Sequence, residues 1–215
     1  QILPATVANL SLSARLVDGS VVNGESAITE RGGAIDRVMI NPADAEAYPH
    51  AVESIEQAQL IVIGPGSLYT SILPNLLVSG IAEAIRGSKG STLYVCNVAT
   101  QQGETDGYDV ADHVEALVAQ TFPKIIDYVV ANDTRRALRP SPLGMPVVPK
   151  GRDPEDLRTV RGGLVDPNHP APHHSSTLAP PNDHMYLGRA TRATPRPPHI
   201  MKSAPTHLSL IHSRR

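Results

Sequence analysis

Aromatic side chains are scarce in this sequence: 215 residues hold no Trp, one Phe and six Tyr. Nucleic-acid readers stack bases on aromatic rings, so this lack, with no recognisable reading module, argues against a nucleic-acid partner. A single cysteine, Cys96, leaves no internal disulfide framework and points to a reducing compartment. It falls in an apolar strand pattern, where a thiol serves as a small packing group rather than a nucleophile. No apolar run reaches 18 residues and no signal-peptide pattern is read, so a cytoplasmic protein with no membrane partner is expected.

Charge is unevenly spread. Residues 1–133 carry 6 Lys/Arg against 16 Asp/Glu, whereas residues 134–215 carry 13 against 5. The second part also takes 14 of the 20 prolines and 7 of the 9 histidines, with little apolar periodicity. The expected division is therefore an α/β stretch over 1–134, a weaker continuation over 135–179 and a disordered basic tail over 180–215. His169, His173 and His174 have no cysteine partner or helical spacing, so no metal site is assigned to them. The chain opens on Gln1 and enters at once into what reads as mid-domain sequence, so a piece of a longer protein is expected.

What is present is most concentrated in LIVIGPGSLYTSILPNLL, residues 60–77. An apolar strand runs into a Gly-Pro-Gly-Ser turn and then a helix. Gly64 and Gly66 are expected to adopt backbone angles that a Cβ forbids, and the helix start near Ser67, Thr70 and Ser71 offers amides and hydroxyls to an anion. The turn reads equally well as a tight connection. It is neither a Walker loop nor GxGxxG, because no Lys-Ser or Lys-Thr pair follows the glycines.

The surrounding pattern supplies the context. Leu10, Leu12, Ala14 and Leu16 alternate up to Asp18-Gly19, and residues 20–26 return, which predicts a β-hairpin. Residues 38–40 read as a short strand and residues 43–58 as a helix with Ala51, Ile55 and Ala58 on one face. Strand 60–63, helices within 67–86 broken near Pro74, strand 92–98, a helix over 109–120 capped by Asp109 and Asp112, and strand 125–131 then alternate. The fold class predicted is α/β: a Rossmann-like, three-layer, doubly wound and mostly parallel sheet, incomplete, with a hairpin near its start. Residues 64–71, 97–106 and 132–134 all fall beyond the carboxyl ends of parallel strands, where such sheets place ligands. Candidate ligand-binding residues are thus Gly64, Pro65, Gly66, Ser67, Thr70, Ser71, Asn97, Thr100, Gln101, Glu104, Thr105 and Asp106. Asn97 reads equally as a loop-bonding group, and His113 as a packing residue. No catalytic residue and no metal ligand is assigned.

GPGSLYTSILPNLL followed by YVCNVATQQGETDGYDVADHVEAL closely resembles the gluconeogenesis factor family of bacterial cytoplasmic proteins. ILPAT, DGSVVNGES and IDRVMINP add to the likeness, which covers residues 1–134. The resemblance implies that 1–134 is the C-terminal portion of a nucleotide-sugar-binding domain with UDP-N-acetylglucosamine as the typical ligand. It also implies a regulatory role in cell shape and in growth on gluconeogenic carbon sources, with cell-wall precursor enzymes as partners and room for a homo-oligomer. The family is related in fold to 2-phospho-L-lactate transferase, which implies the alternative: an enzyme moving a phospho-lactate or phosphoenolpyruvate group to a deazaflavin, with Mg²⁺. The family's Gly-Gly-Thr-Gly loop and Asp-Asp-Gly-Gly segment do not occur here, and Gln102 stands where the family usually has Pro. Residues 180–215 depart from the family altogether, and their LSLIH resembles a translated sequencing-adapter end, so an artefactual origin is one expectation for them.

Overall fold

The computed structural model describes residues 2–132, 144–147, 149, 158–162, 164–166 and 169–173. The tail over 180–215 and His174 lie outside the described residues.

The first sheet is antiparallel. β1 (Ser11–Leu16) pairs with β2 (Val21–Asn23) through the Asp18-Gly19 turn, and β3 (Ile35–Asn41) pairs with the other side of β1. Gly19 takes φ +85 and the Asp18 carboxylate accepts from the Ser20 N–H at 2.9 Å, the turn chemistry the sequence announced. Ala14, Leu16, Val38 and Ile40 are buried, as strict alternation requires. The return strand ends at Asn23, shorter than the alternation suggested. Gly24, at φ +94, turns the chain into a helix that periodicity did not reveal, α1 (Glu25–Arg31). Only Ile28 of α1 is buried, and one apolar anchor in seven residues carries no readable period.

The helix expected over 43–58 is confined to α2 (Pro49–Glu56). Residues 45–47 instead run extended beside Ser79: the Ala47 N–H donates to the Ser79 carbonyl at 2.9 Å and the Ser79 N–H to the Ala45 carbonyl at 3.0 Å. Pro49 holds Tyr48 in extended geometry and sets the helix start.

The second sheet is parallel, with β4 (Leu60–Ile63), β5 (Ser91–Val95), β6 (Tyr128–Asn132) and β7 (Arg158–Gly162) adjacent in chain order. This is the α/β, Rossmann-like architecture expected, with the hairpin sheet before it. Between β4 and β5 run a π-helical turn (Leu68–Ile72), α3 (Leu73–Leu76) and α4 (Ile81–Gly87). Pro74 lies in the first turn of α3, where its missing N–H costs nothing. The break falls instead over 77–80 and ends at Gly80, φ +98. α5 (Val110–Gln120) links β5 to β6 and starts as predicted: Asp109 and Asp112 exchange backbone-to-carboxylate bonds of 3.0 and 2.8 Å. β8 (Val165–Asp166) and β9 (His169–His173) form an antiparallel pair, which places His169 and His173 on a strand.

One continuous core joins the two sheets. Ala14, Ile28 and Val38 from the first meet Ile61, Leu73, Ile81, Tyr94, Leu117 and Val129 from the second. Burying a Leu or Ile side chain contributes about 1.5–3 kcal/mol each, so this shared interior fixes the hairpin sheet and α1 against the parallel sheet.

Candidate functional site

Where β4 ends, Gly64 takes φ +81 and the Gly64–Pro65 peptide is cis. A Cβ on Gly64 would lie 2.9 Å from the Val95 carbonyl oxygen and 3.3 Å from Ile72 Cδ1. Glycine is therefore required twice over at this position, by backbone angle and by the closeness of β5. Gly66 differs from expectation: it is outside the positive-φ region, and a Cβ there would meet Ile72 and Ser71 at an ordinary 3.7 Å.

Asn97, just past β5, bonds this turn in both directions. Its Oδ1 accepts from the Gly66 N–H at 3.3 Å and its Nδ2 donates to the Gly66 carbonyl at 2.9 Å. The residue thus sets the shape of the neighbouring loop.

A cleft of about 210 Å³ opens beside the turn, lined by Gly64, Pro65, Gly66, Ser67 and Ser71 among the candidates. Ser71 sits on the π-helical turn, where the N–H groups of Ser71 and Ile72 both donate to the Ser67 carbonyl. Neither the Ser67 nor the Ser71 hydroxyl has a side-chain hydrogen bond among the described residues, which leaves two donors toward the cleft. Glu25 of α1 and Asn75 of α3 also line it. Neither was singled out from sequence. Asn75 lies one turn after Ser71, whose carbonyl accepts from its Nδ2 at 2.7 Å, and that spacing was legible; the placement of Glu25 depends on how the first sheet packs on the second.

Of the remaining candidates, Thr70, Thr100, Glu104 and Thr105 are buried, whereas Asp106 is exposed. Glu104 is 2% exposed, and its Oε1 accepts from Thr70 Oγ1 at 3.0 Å, Gln101 Nε2 at 2.7 Å and Thr29 Oγ1 at 3.0 Å. Burial raises its carboxyl pKa, while the Thr29 and Thr70 hydroxyls and the N–H groups of Tyr69 and Thr70 favour its ionised form. The positive end of the π-helical turn, expected to face a ligand anion, is thus occupied by the protein's own carboxylate. Thr105 is fully buried and accepts from the Gln101 N–H at 2.9 Å. Asp106 accepts from the Gly103 N–H at 2.7 Å. Thr100 accepts from the Met145 N–H at 2.9 Å and its own N–H donates to the Met145 carbonyl at 2.7 Å. These residues hold loop 97–106 in shape and do not line the cleft. Asn132, at the end of β6, is similarly committed: its Oδ1 accepts from the Leu164 N–H at 3.1 Å.

His113 is fully buried, with Nδ1 2.8 Å from the Asp109 carbonyl, so Nδ1 carries the proton and donates. Burial holds its pKa below the usual imidazole range. Its ring meets Tyr108 edge-on at 5.4 Å, and the Tyr108 hydroxyl lies 2.8 Å from that of Tyr69. This is packing, as the helical position suggested. Cys96 is buried, and burial pushes its thiol up to about 12.

Among the described residues no group of three or more His, Cys, Asp or Glu side chains lies together. Among them also, no helix is long and apolar enough to cross a membrane.

The chain matches known proteins over this same region. Residues 1–141 fit a family profile described as 2-phospho-L-lactate transferase CofD. The chain is 48% identical over 134 residues to the gluconeogenesis factor of Listeria innocua, a match covering 62% of this chain and 42% of that protein. To the gluconeogenesis factor of Bacillus subtilis it is 47% identical over 132 residues, covering 61% and 42%. The chain thus spans less than half the length of these curated relatives. A crystal structure of a protein from Bacillus halodurans superposes with a TM-score of 0.74 at 35% identity, covering 83% of this chain and 60% of that one.

Proposed function

We propose that this chain, which belongs to the CofD family, is a non-catalytic nucleotide-sugar-binding regulatory protein of the gluconeogenesis factor type. Its ligand on this reading is of the UDP-N-acetylglucosamine class, and its role lies in cell shape and growth on gluconeogenic carbon sources, through enzymes that supply cell-wall precursors. The observation that carries the reading is the cleft at the carboxyl end of β4. Gly64 lets the backbone turn tightly there, and Ser67 and Ser71 bring hydroxyl donors to its wall. Hydroxyl donors at a strand end suit a diphosphate joined to a sugar.

The family's transferase description supports a second reading, transfer of a phospho-lactate or phosphoenolpyruvate group to a deazaflavin. Against it stand the buried Glu104, bonded by Thr70 and Gln101, and the exposed Asp106, whose carboxylate is engaged by the Gly103 N–H of its own loop.

Isothermal titration of the 215-residue chain with UDP-N-acetylglucosamine tests the leading reading. Saturable binding without turnover of a deazaflavin acceptor is expected. Absence of binding by a folded protein would overturn it, and acceptor turnover would favour the transferase reading.

A further inference from the structure

Glu104 is not among the residues that line the cleft, yet it is bonded to two of the elements that do. The cleft takes Glu25 from α1, and Ser71 and Ile72 from the π-helical turn. These elements lie far apart in the chain, and one carboxylate oxygen joins them. Glu104 Oε1 accepts at 3.0 Å from Thr29 Oγ1, one turn along α1 from Glu25, and at 3.0 Å from Thr70 Oγ1, beside Ser71.

The loop that carries Glu104 holds it still. Gln101 Nε2 donates to the same oxygen at 2.7 Å, the Thr105 hydroxyl accepts from the Gln101 N–H at 2.9 Å, and Asp106 accepts from the Gly103 N–H at 2.7 Å. Gly103, at φ +83, lies so close to α1 that a Cβ there would run into the Thr29 carbonyl. Loop 97–106 therefore offers one fixed acceptor to both α1 and the π-helical turn. Glu104 is 2% exposed, so water does not compete for its donors and the bonds are stronger than they would be at the surface.

We propose that Glu104 is a positioning residue of the cleft: through Thr29 and Thr70 it fixes α1 and the π-helical turn relative to one another, and so holds Ser71 where it can meet a bound sugar nucleotide. The inference rests on the nucleotide-sugar reading above and adds a residue that acts on the ligand without touching it. A binding group is only as well placed as the residues that support it. Removing an acceptor that serves both elements leaves two threonine hydroxyls without their partner, and the two sides of the cleft can then shift independently.

The test uses the 215-residue chain with UDP-N-acetylglucosamine and compares wild type with Glu104→Ala, Glu104→Gln and Thr29→Val. Urea unfolding gives the folded fraction, titration calorimetry the affinity of that fraction, and amide hydrogen exchange the opening of residues 25–31 and 68–72. Glu104→Ala is expected to weaken binding at least about tenfold and to speed exchange in both segments, neither of which contains residue 104. Glu104→Gln keeps an oxygen acceptor for the two threonine hydroxyls and should stay within about threefold of wild-type affinity. Thr29→Val cuts only the tie to α1 and should weaken binding at least about threefold. Lower stability with wild-type affinity in folded Glu104→Ala would overturn the proposal and leave the nucleotide-sugar reading intact. If Glu104→Ala does not fold, Thr29→Val decides, and wild-type affinity there overturns the proposal in the same way. Failure of the folded wild-type chain to bind the sugar nucleotide would overturn that reading and this one with it.

Discussion

Asn97 and Gly66 exchange two hydrogen bonds across neighbouring strand ends, the side-chain amide accepting from the Gly66 N–H at 3.3 Å and donating to its carbonyl at 2.9 Å. One side chain on the β5 loop thereby fixes the backbone of the β4 turn. Asn97→Ala should lower stability by about 1–3 kcal/mol, since both Gly66 groups lose their partner, and weaken sugar-nucleotide binding in the remaining folded protein. Urea unfolding alongside titration calorimetry separates the two effects. Unchanged values of both would remove Asn97 from any role in shaping the turn.

The two glycines of that turn should respond differently to the same change. Gly64→Ala meets a positive φ and the Val95 carbonyl, and is expected to cost roughly 1–3 kcal/mol or more. Gly66→Ala meets only ordinary contacts and should stay within about 1 kcal/mol of wild type. Equal urea midpoints for the two variants would contradict this geometry.

Glu104 gives a pH signature of definite sign. Its folded pKa is raised above 4.5 by burial, so the folded state holds the proton more tightly than the unfolded chain does. The resulting stabilisation is fully present below pH 4.5 and is lost as pH rises through the folded value. Glu104→Gln should therefore flatten the stability–pH curve just above 4.5. An identical slope in wild type and variant would show that the carboxyl titrates alike in both states.

His113 acts in the opposite direction. Its folded pKa lies below 6.5 because burial disfavours the imidazolium, so its contribution is present above pH 6.5 and is lost as pH falls through the folded value. His113→Gln should reduce the loss of stability on acidification below 6.5, read from urea midpoints measured on the same pH series as for Glu104→Gln.

Cys96 should be silent toward thiol reagents in the native protein. A buried thiol raised to about 12 offers almost no thiolate at neutral pH. Labelling with a disulfide reagent is expected to follow the unfolding rate, and rapid stoichiometric labelling of the native chain would contradict that.

Local chemistry was legible wherever a short stretch carries its own instruction. The Asp18-Gly19 turn, the apolar run of residues 60–63 and the Asp109/Asp112 capping box each depend on neighbours within four residues, and each forms where the sequence indicated. α1 and the extended stretch 45–47 were not legible, because their stability comes from distant partners: Ile28 from a shared core, and Ala45 and Ala47 from Ser79. The candidate site divides in the same way. That loops 64–71 and 97–106 adjoin follows from parallel strands in register, Ile63 beside Tyr94.

Polar composition alone determined that these loops were rich in hydrogen-bonding groups; it did not determine where those groups point. A buried carboxylate must collect donors, and Glu104 finds them in Thr29, Thr70 and Gln101, residues 75, 34 and 3 positions away in the chain. Only the tertiary structure decided that these groups are spent on one another, while the Ser67 and Ser71 hydroxyls line the cleft.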